Sequence, residues 1–265
     1  MRPTDPPYSR YSRHYDQIGQ RLFGLRSLEV VLGLLTAKGA AVASAIDLAC
    51  GTGSVAMQLA EAGVRTTGLD RSPEMITLAR AEAERRGLAI TWITGDLTAF
   101  SLAEPVDLCT CFYDAVNYLP DEESLRAFIE CARQALNPSG FLAFDINTQR
   151  KLRDHWSDSV IVAEDNDDAL LLYRSWFDES RQSSPLVVTG FERREDGSWN
   201  RFDEEHVEYV FAVDSITQML NRSGFDPVQV LDWGERPSDE VRDGSESSFR
   251  VLYLARTPVD QGQAQ

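Results

Sequence analysis

The chain is poor in the residues that build metal sites and covalent cross-links. It has three histidines (His14, His155 and His206) and four cysteines, and no two cysteines form a Cys-x-x-Cys pair. Zinc sites need clusters of such ligands, and disulfide scaffolds need a denser set of cysteines. We therefore expect no bound metal, and we expect reduced thiols in a cytoplasmic protein.

Long apolar runs and excess positive charge are also missing. No run approaches the roughly 20 apolar residues that cross a bilayer, and the N-terminus lacks the apolar core of a signal peptide. The net charge is −16, of which residues 1–150 contribute −4 (14 basic, 18 acidic) and residues 151–265 contribute −12 (12 basic, 24 acidic). Because nucleic acids bind basic surfaces, we expect neither a nucleic acid nor a membrane as a partner. Solubility alone explains such acidity, and a cationic small-molecule substrate explains it equally well.

Strand-like and helical patterns alternate over the first 150 residues. After a helical pattern at 16–37, apolar strand patterns occur at about 45–49, 64–70, 89–94, 106–112 and 141–146. This alternation produces a parallel sheet with helices on both faces. Between about 158 and 212 the pattern changes to several alternating runs separated by turns, which favours an inserted antiparallel sheet. A helix capped by Asp214 and two strands, at about 226–233 and 248–256, follow.

The predicted fold class is therefore α/β. We expect a doubly wound, Rossmann-like, mostly parallel seven-stranded sheet with an antiparallel β insertion before the last helix.

The segment from Asp47 to Gly53 joins the first strand to the following helix. A Gly-x-Gly turn at the end of a strand brings bare backbone close to a nucleotide-like ligand. Acidic residues end or follow the next two strands, at Asp70 and Asp96, and the ends of these strands share one edge of a doubly wound sheet. Taken alone, two glycines in a turn also fit ordinary turn chemistry.

Two kinds of ligand suit this edge. Gly51 to Ala56 satisfies a loose dinucleotide pattern with Asp70 about 20 residues further on, which would favour a nicotinamide-dependent oxidoreductase. Against this, Ala49 and Cys50 separate the strand from the glycines, no second nucleotide-binding half follows, and Asp96 adds another acid. A ligand with an amino group, a ribose diol and an adenine, and without phosphate, fits these acids better.

The chain resembles the class I S-adenosylmethionine-dependent methyltransferases over roughly residues 43–147. Five segments carry the resemblance in the family's order: Asp47 to Gly53, Gly68 to Met75, Gly95 to Leu97, Val106 to Leu108, and Leu136 to Phe141. Later segments, from Asp114 to Leu119, Phe144 to Thr148 and Phe202 to His206, are similar to a bacterial branch with a β insertion, which is like the amino-sugar N-methyltransferases in layout.

The resemblance implies S-adenosylmethionine as the cofactor and a small molecule as the methyl acceptor, with nitrogen slightly preferred over oxygen. A module that binds the cofactor or a metabolite without turnover is the alternative. Asp70 would bind the ribose, Met75, Asp96 and Leu97 would meet the adenine, and Tyr15 would cover the cofactor. The full set implied to bind the cofactor is Tyr15, Asp47, Ala49, Cys50, Gly51, Gly53, Asp70, Arg71, Met75, Asp96, Leu97, Cys111 and Phe112.

The sequence does not single out one catalytic group. A general base is needed only if the acceptor arrives protonated, and the candidates are Tyr15, Asp114, Tyr118 and His206. His206 lies in an acidic run that would attract a cation, and a solvated strand face with a packed histidine explains that run as well.

Composition, strand pattern and the resemblance together divide the chain into parts. Residues 1–15 would be a flexible arm and lid, and residues 16–157 and 213–257 would form the cofactor-binding α/β domain. Residues 158–212 would be the β insertion on the substrate side, and residues 258–265 a disordered tail. The protein would be a monomer or a homodimer.

Overall fold

The computed structural model describes residues 4–234 and 242–259. Its α-helices are α1 (Arg21–Ala37), α2 (Ser54–Glu61), α3 (Pro73–Arg86), α4 (Glu122–Ala135) and α5 (Val213–Arg222). Its strands are β1 (Ser44–Leu48), β2 (Arg65–Asp70), β3 (Thr91–Thr94), β4 (Val106–Cys111), β5 (Leu136–Asn147), β6 (Ser159–Asp165), β7 (Ala169–Ser175), β8 (Ser183–Arg193), β9 (Trp199–Tyr209), β10 (Val228–Asp232) and β11 (Arg250–Arg256).

The main sheet has seven strands in the order β10-β11-β5-β4-β1-β2-β3. Strands β1 to β5 run parallel, and β11 pairs antiparallel with both β5 and β10. The strand order reverses between β1 and β4, where ligands bind in sheets of this kind. Buried residues form apolar clusters in which side chains of the central strands pack with the surrounding helices. The predicted fold class is confirmed, including its seven strands and its separate antiparallel sheet.

Helix α3 begins and ends where its sequence predicts. The Ser72 hydroxyl accepts a hydrogen bond from the Met75 N–H at 3.2 Å, Pro73 occupies the first helical position, and Gly87 ends the helix with φ 68°. Helix α5 differs from expectation, because Asp214 lies in its first turn rather than at its cap. The first N–H of that helix, from Val213, donates instead to Glu246 at 2.6 Å, so a distant carboxylate supplies the cap.

The β insertion is a four-stranded antiparallel sheet in the order β6-β7-β8-β9. Residues 5–15, called the N-terminal segment below, lie against this sheet. Tyr11 is buried with Leu171, Val188 and Phe202 of the insertion, and the Asp5 N–H donates to the Asp203 carbonyl at 2.8 Å. The segment is therefore docked rather than a free arm, because its aromatic rings and backbone N–H groups find partners on the insertion.

The predicted disordered tail lies outside the described residues from residue 260 onward. The two tail residues that the structure describes are Pro258 and Val259, and the Pro258 carbonyl accepts a hydrogen bond from the Ser139 N–H at 3.1 Å.

Gly51 and Gly53 provide a matched pair for testing the turn after β1. Both have left-handed backbones, with φ of 54° and 81°, so alanine costs about 1 kcal/mol of backbone strain at either position. A Cβ at Gly53 would overlap the Trp92 ring and lie 3.0 Å from the Ala79 Cβ, whereas a Cβ at Gly51 meets nothing within 4 Å. We expect Gly53→Ala to lower the free energy of unfolding by about 1–3 kcal/mol more than Gly51→Ala. Urea unfolding measures this difference, and equal losses would show that Trp92 does not restrict Gly53.

Candidate functional site

A cleft of about 760 Å³ opens at the carboxyl ends of β1, β2, β3 and β4. We call it the strand-end cleft. Strand register places Leu48 opposite Leu69 and Asp70 opposite Thr94, so the turns that follow these strands meet at one edge of the sheet. Ten of the residues predicted for the site line this cleft: Tyr15, Ala49, Gly51, Asp70, Arg71, Met75, Asp96, Leu97, Phe112 and Tyr118.

Asp70 organises the floor of the strand-end cleft. Its two carboxylate oxygens each accept a backbone N–H at 2.8 Å, from Gly51 and from Ser72. Burial raises the pKa of Asp70, and these backbone donors partly oppose that rise. These hydrogen bonds fix the turn after β1. The backbone of Gly51 is open to the cleft, since nothing packs within 4 Å of the position that a Cβ would take.

Asp47 and Cys50 lie beside a smaller adjoining cavity that Ala49, Gly51 and Phe112 also line. Asp47 is buried, and its carboxylate accepts the Thr110 hydroxyl at 2.8 Å. Burial raises the pKa of Asp47 to about 7, although the Thr110 hydrogen bond opposes the rise. The site thus holds a carboxyl that titrates near neutral pH.

Two residues of the predicted cofactor set lie away from these surfaces. Cys111 is fully buried in β4 within the apolar core. Gly53 is buried at the start of α2, where the Trp92 ring covers it. Gly53 is needed there because the Trp92 ring packs closely on it and its backbone is left-handed. The glycine whose backbone is exposed in the strand-end cleft is Gly51.

A second cavity lies between the strand-end cleft and the β insertion. Asp114, His206 and Glu208 line it, with the rings of Tyr11, Trp156 and Tyr173. Four tyrosines line both spaces, and we call them the tyrosine junction: Tyr8, Tyr15, Tyr113 and Tyr118. A molecule in one space and a molecule in the other would therefore meet at these rings.

A buried ion-pair group positions Asp114 in the second cavity. Tyr113 and Asp114 have left-handed backbones, with φ of 67° and 54°, and their N–H groups donate to the Asp145 carboxylate at 2.6 and 3.1 Å. Arg250 of β11 bonds both aspartates, with its Nη1 2.9 Å from Asp114 Oδ1. Burial alone would lower the pKa of Arg250, but these two carboxylates raise it further above its ordinary value. The strained turn persists because Asp145 holds both N–H groups.

Strand β9 supplies the polar wall of the second cavity. Its alternate residues Phe202, Glu204, His206 and Glu208 are buried on one face. The Asn147 amide donates to Glu208 at 2.8 Å. Burial, with Asp114 nearby, raises the pKa of Glu208 well above its ordinary range.

Glu204 is committed to the N-terminal segment. Its carboxylate accepts the N–H groups of Tyr8, Arg10 and Tyr11 at 2.7–2.9 Å and the Ser9 hydroxyl at 3.2 Å. Beside it, His206 lies 3.1 Å from the Tyr118 hydroxyl through Nδ1 and 3.5 Å from Glu204 through Nε2. Within the acidic run around His206, Glu204 and Glu208 thus lie on the buried face of β9, whereas Asp203 and Glu205 are half-buried on the other face.

Comparison with known proteins identifies the fold and the family. Residues 45–140 match a family described as "Methyltransferase domain". A protein of Geobacillus sp. (strain WCH70), "Putative methyltransferase GWCH70_2453", is 30% identical over 211 residues, which are 80% of this chain and 83% of that protein. The chain belongs to the S-adenosylmethionine-dependent methyltransferases.

Solved structures agree with this methyltransferase fold. An S-adenosylmethionine-dependent methyltransferase from Clostridium acetobutylicum superposes with a TM-score of 0.80 at 23% identity, over 95% of this chain and 99% of that one. CalS10 from Micromonospora echinaspora, an amino pentose methyltransferase solved with S-adenosylmethionine bound, gives a TM-score of 0.69 at 18% identity, over 96% and 99%.

The sequence alone was also compatible with a nicotinamide oxidoreductase and with a binding module without turnover. Membership in the methyltransferase family excludes both. The strand-end cleft of the methyltransferase also fits the cofactor. Its acidic side chains can accept hydrogen bonds from the hydroxyl and amino groups of the cofactor. Among its lining residues in the described ranges Arg71 is the one cation, whereas the pyrophosphate of a dinucleotide would need several donors. No α-helix within the described ranges is long and apolar enough to cross a membrane.

Sequence reasoning missed several residues of the site. Neither the motifs nor their spacing single out Tyr113, Glu208 or Arg250, and at the end of the fifth predicted strand Asp145 fits a solvent-facing acid and a substrate contact equally well. The last of these is fully buried and holds the turn after β4. Glu208 lies in the acidic run around His206. Because polar residues occupy both faces of β9 there, hydropathy does not indicate which face is buried.

Asp47 predicts a pH-dependent penalty on stability. Its pKa rises from 3.8 to about 7 on folding, so between these values the folded state holds more protons than the unfolded state, and stability falls as pH rises. Asp47→Asn removes this penalty. We expect the variant to gain about 2–3 kcal/mol relative to wild type between pH 5 and pH 8. Urea unfolding at both pH values measures the gain, with the exposed Glu130→Gln as control, and a difference independent of pH would contradict the buried-carboxyl account.

Proposed function

We propose that this methyltransferase methylates the nitrogen of a small, cationic amine held in the second cavity. The observation that carries the proposal is the pair of buried carboxyl groups, Asp114 and Glu208, inside a cavity whose walls are largely aromatic and which opens at the tyrosine junction toward the strand-end cleft.

The charge balance of the second cavity supports a cation. Among the described side chains, three carboxyl groups, from Asp114, Asp145 and Glu208, cluster with the guanidinium of Arg250. Burial raises the pKa of Glu208 well above its ordinary range, which favours the protonated form of this carboxyl in the absence of another cation. An ammonium group would supply the missing positive charge and allow Glu208 to ionise.

The aromatic walls support the same class of acceptor. Tyrosine and tryptophan faces attract ammonium and methylated ammonium groups through their ring quadrupoles. The rings that line the second cavity are those of Tyr8, Tyr11, Tyr15, Tyr113, Tyr118, Trp156 and Tyr173. A methylated amine would keep these contacts as its methyl groups accumulate, and an amino pentose is the acceptor named for CalS10, which shares the fold.

We assign the cofactor to the strand-end cleft. Asp70 would accept from its ribose, Met75, Asp96 and Leu97 would border its adenine, and Gly51 and Asp47 would face its amino-acid part. Bound S-adenosylmethionine supplies a methyl group already attached to its leaving group, so this chain has to align and desolvate the acceptor. Tyr15, within the docked N-terminal segment, would close the cofactor side of the junction.

We propose a cytoplasmic enzyme, since its four cysteines are all free thiols. It would work as a monomer or a homodimer on a small molecule, without nucleic acid or membrane.

The cofactor assignment is tested by calorimetry with S-adenosylmethionine, S-adenosylhomocysteine and NADH. We expect both sulfur ligands to bind and Asp70→Asn to weaken them at least about tenfold, because a charge-assisted hydrogen bond contributes about 1.5–3 kcal/mol. Glu130→Gln, exposed on α4, is the control. Affinities unchanged by Asp70→Asn would remove Asp70 from the assigned cofactor site.

The acceptor assignment is tested with matched amines and alcohols and methyl-labelled S-adenosylmethionine. We expect methylated amines, and we expect Glu208→Gln to raise KM for a cationic amine about tenfold, since the variant cannot become an anion. Glu205→Gln removes a carboxylate from the other face of β9 and is the matched control. Methylation restricted to alcohols, or equal KM values in the two variants, would overturn the proposal.

A further inference from the structure

Tyr118 holds a special place among the four junction tyrosines. It borders both spaces, and its hydroxyl is within hydrogen-bond distance of an imidazole nitrogen, His206 Nδ1, at 3.1 Å. The Tyr113 hydroxyl bonds Gln20 instead, and the Tyr8 hydroxyl lies 3.1 Å from that of Tyr118. Tyr118 is therefore the junction hydroxyl that can pass a proton directly to a base.

The surroundings of Tyr118 keep its phenol neutral. Burial, with the carboxyls of Glu208 and Asp114 nearby, holds the pKa of Tyr118 well above its ordinary range. A neutral phenol cannot take a proton from an amine unless it gives its own proton away at the same time. His206 Nδ1 is the group placed to receive it.

Glu204 lies beside the other nitrogen of the His206 ring. Its Oε2 lies 3.5 Å from His206 Nε2, and that nitrogen has no hydrogen-bond partner among the described residues. At this distance the contact is mainly electrostatic, and it favours a proton on Nε2, which leaves the lone pair of Nδ1 directed at Tyr118.

The N-terminal segment keeps the Glu204 carboxylate ionised and oriented. Burial alone would raise the pKa of Glu204, but His206 and the N–H groups of Tyr11 and Arg10 lower it below its ordinary value. Since the Glu204 carboxylate accepts four hydrogen bonds from the segment, the docked segment fixes Oε2 beside His206.

We propose that Tyr118, His206 and Glu204 form a proton relay that neutralises the acceptor ammonium at the tyrosine junction. The ammonium gives one proton to the Tyr118 oxygen while the Tyr118 proton passes to His206 Nδ1. The resulting imidazolium carries protons on both nitrogens, stabilised by Glu204, and releases one to solvent after the reaction. The amine keeps the electron pair of its broken N–H bond and becomes a nucleophile.

The relay rests on the proposed amine acceptor for its use, but its tautomer can be measured without any acceptor. Nitrogen NMR of the labelled full chain shows three histidines, and His206→Gln identifies the signal of His206. We expect the neutral ring of His206 to carry its proton on Nε2 and to accept at Nδ1. A neutral ring protonated on Nδ1 would overturn the relay, whatever the acceptor proves to be.

Kinetics with a methylated amine test the proton transfer itself. The charged and titratable groups that face His206 are Tyr8 and Tyr11 of the N-terminal segment, Tyr118, and Glu204 and Glu208 of its own strand. We expect Tyr118→Phe and His206→Gln to lower kcat about 100-fold at neutral pH. The loss should shrink at high pH, where the amine arrives neutral.

Glu204→Gln gives a readout that a merely structural role would not produce. Without the anion beside Nε2, the neutral ring of His206 should lose its preference for a proton on Nε2 in the nitrogen NMR spectrum, while Glu205→Gln should leave that preference in place. Calorimetric binding of S-adenosylmethionine checks that each variant is folded. If folded Tyr118→Phe and His206→Gln keep the wild-type pH profile, the relay is overturned and the amine acceptor stands. If only alcohols are methylated, the amine acceptor is overturned and the tautomer measurement decides the relay.

Discussion

The buried contact of Arg250 with Asp114 and Asp145 is the constraint on which both cavities depend. It joins the ends of β5 and β11 to the turn after β4, and that turn begins the short 3₁₀ segment Ala115–Tyr118. Removing one partner of such a buried group leaves an unpaired charge, which typically costs about 3–5 kcal/mol. The positions of Tyr113, Asp114 and Tyr118 in the two cavities follow from this one group.

The N-terminal segment closes the side of the strand-end cleft that the main sheet does not cover. The carboxyl ends of the parallel strands form only the floor of the strand-end cleft, whereas Tyr8 and Tyr15 of the segment close it and also border the second cavity. Glu204 is the link between segment and insertion, because its carboxylate gathers donors from four consecutive residues. A single buried side chain thus connects closure of the site to the groups around the acceptor.

The cofactor side of the site could be predicted from sequence because its signals are local. Asp70, Asp96 and the Gly51 turn each follow directly from a strand, and parallel strands bring their ends together by topology alone. Two predicted residues, Cys111 and Gly53, reach neither the strand-end cleft nor the adjoining cavity. Cys111 is the last residue of a strand buried on both faces, and Gly53 is covered by a tryptophan from β3 that no spacing rule could place there.

Periodicity and turn chemistry act between neighbouring residues, so they are enough to predict the α/β order and the acids of the strand-end cleft. The acceptor side depends instead on contacts between residues that are distant in the chain. On β9 the buried face carries Glu204, His206 and Glu208, so hydropathy could not show which side faces inward. Their partners, Tyr8, Tyr118 and Asn147, lie 61 to 196 residues away along the chain, and contacts over such separations leave no periodic pattern in a single sequence.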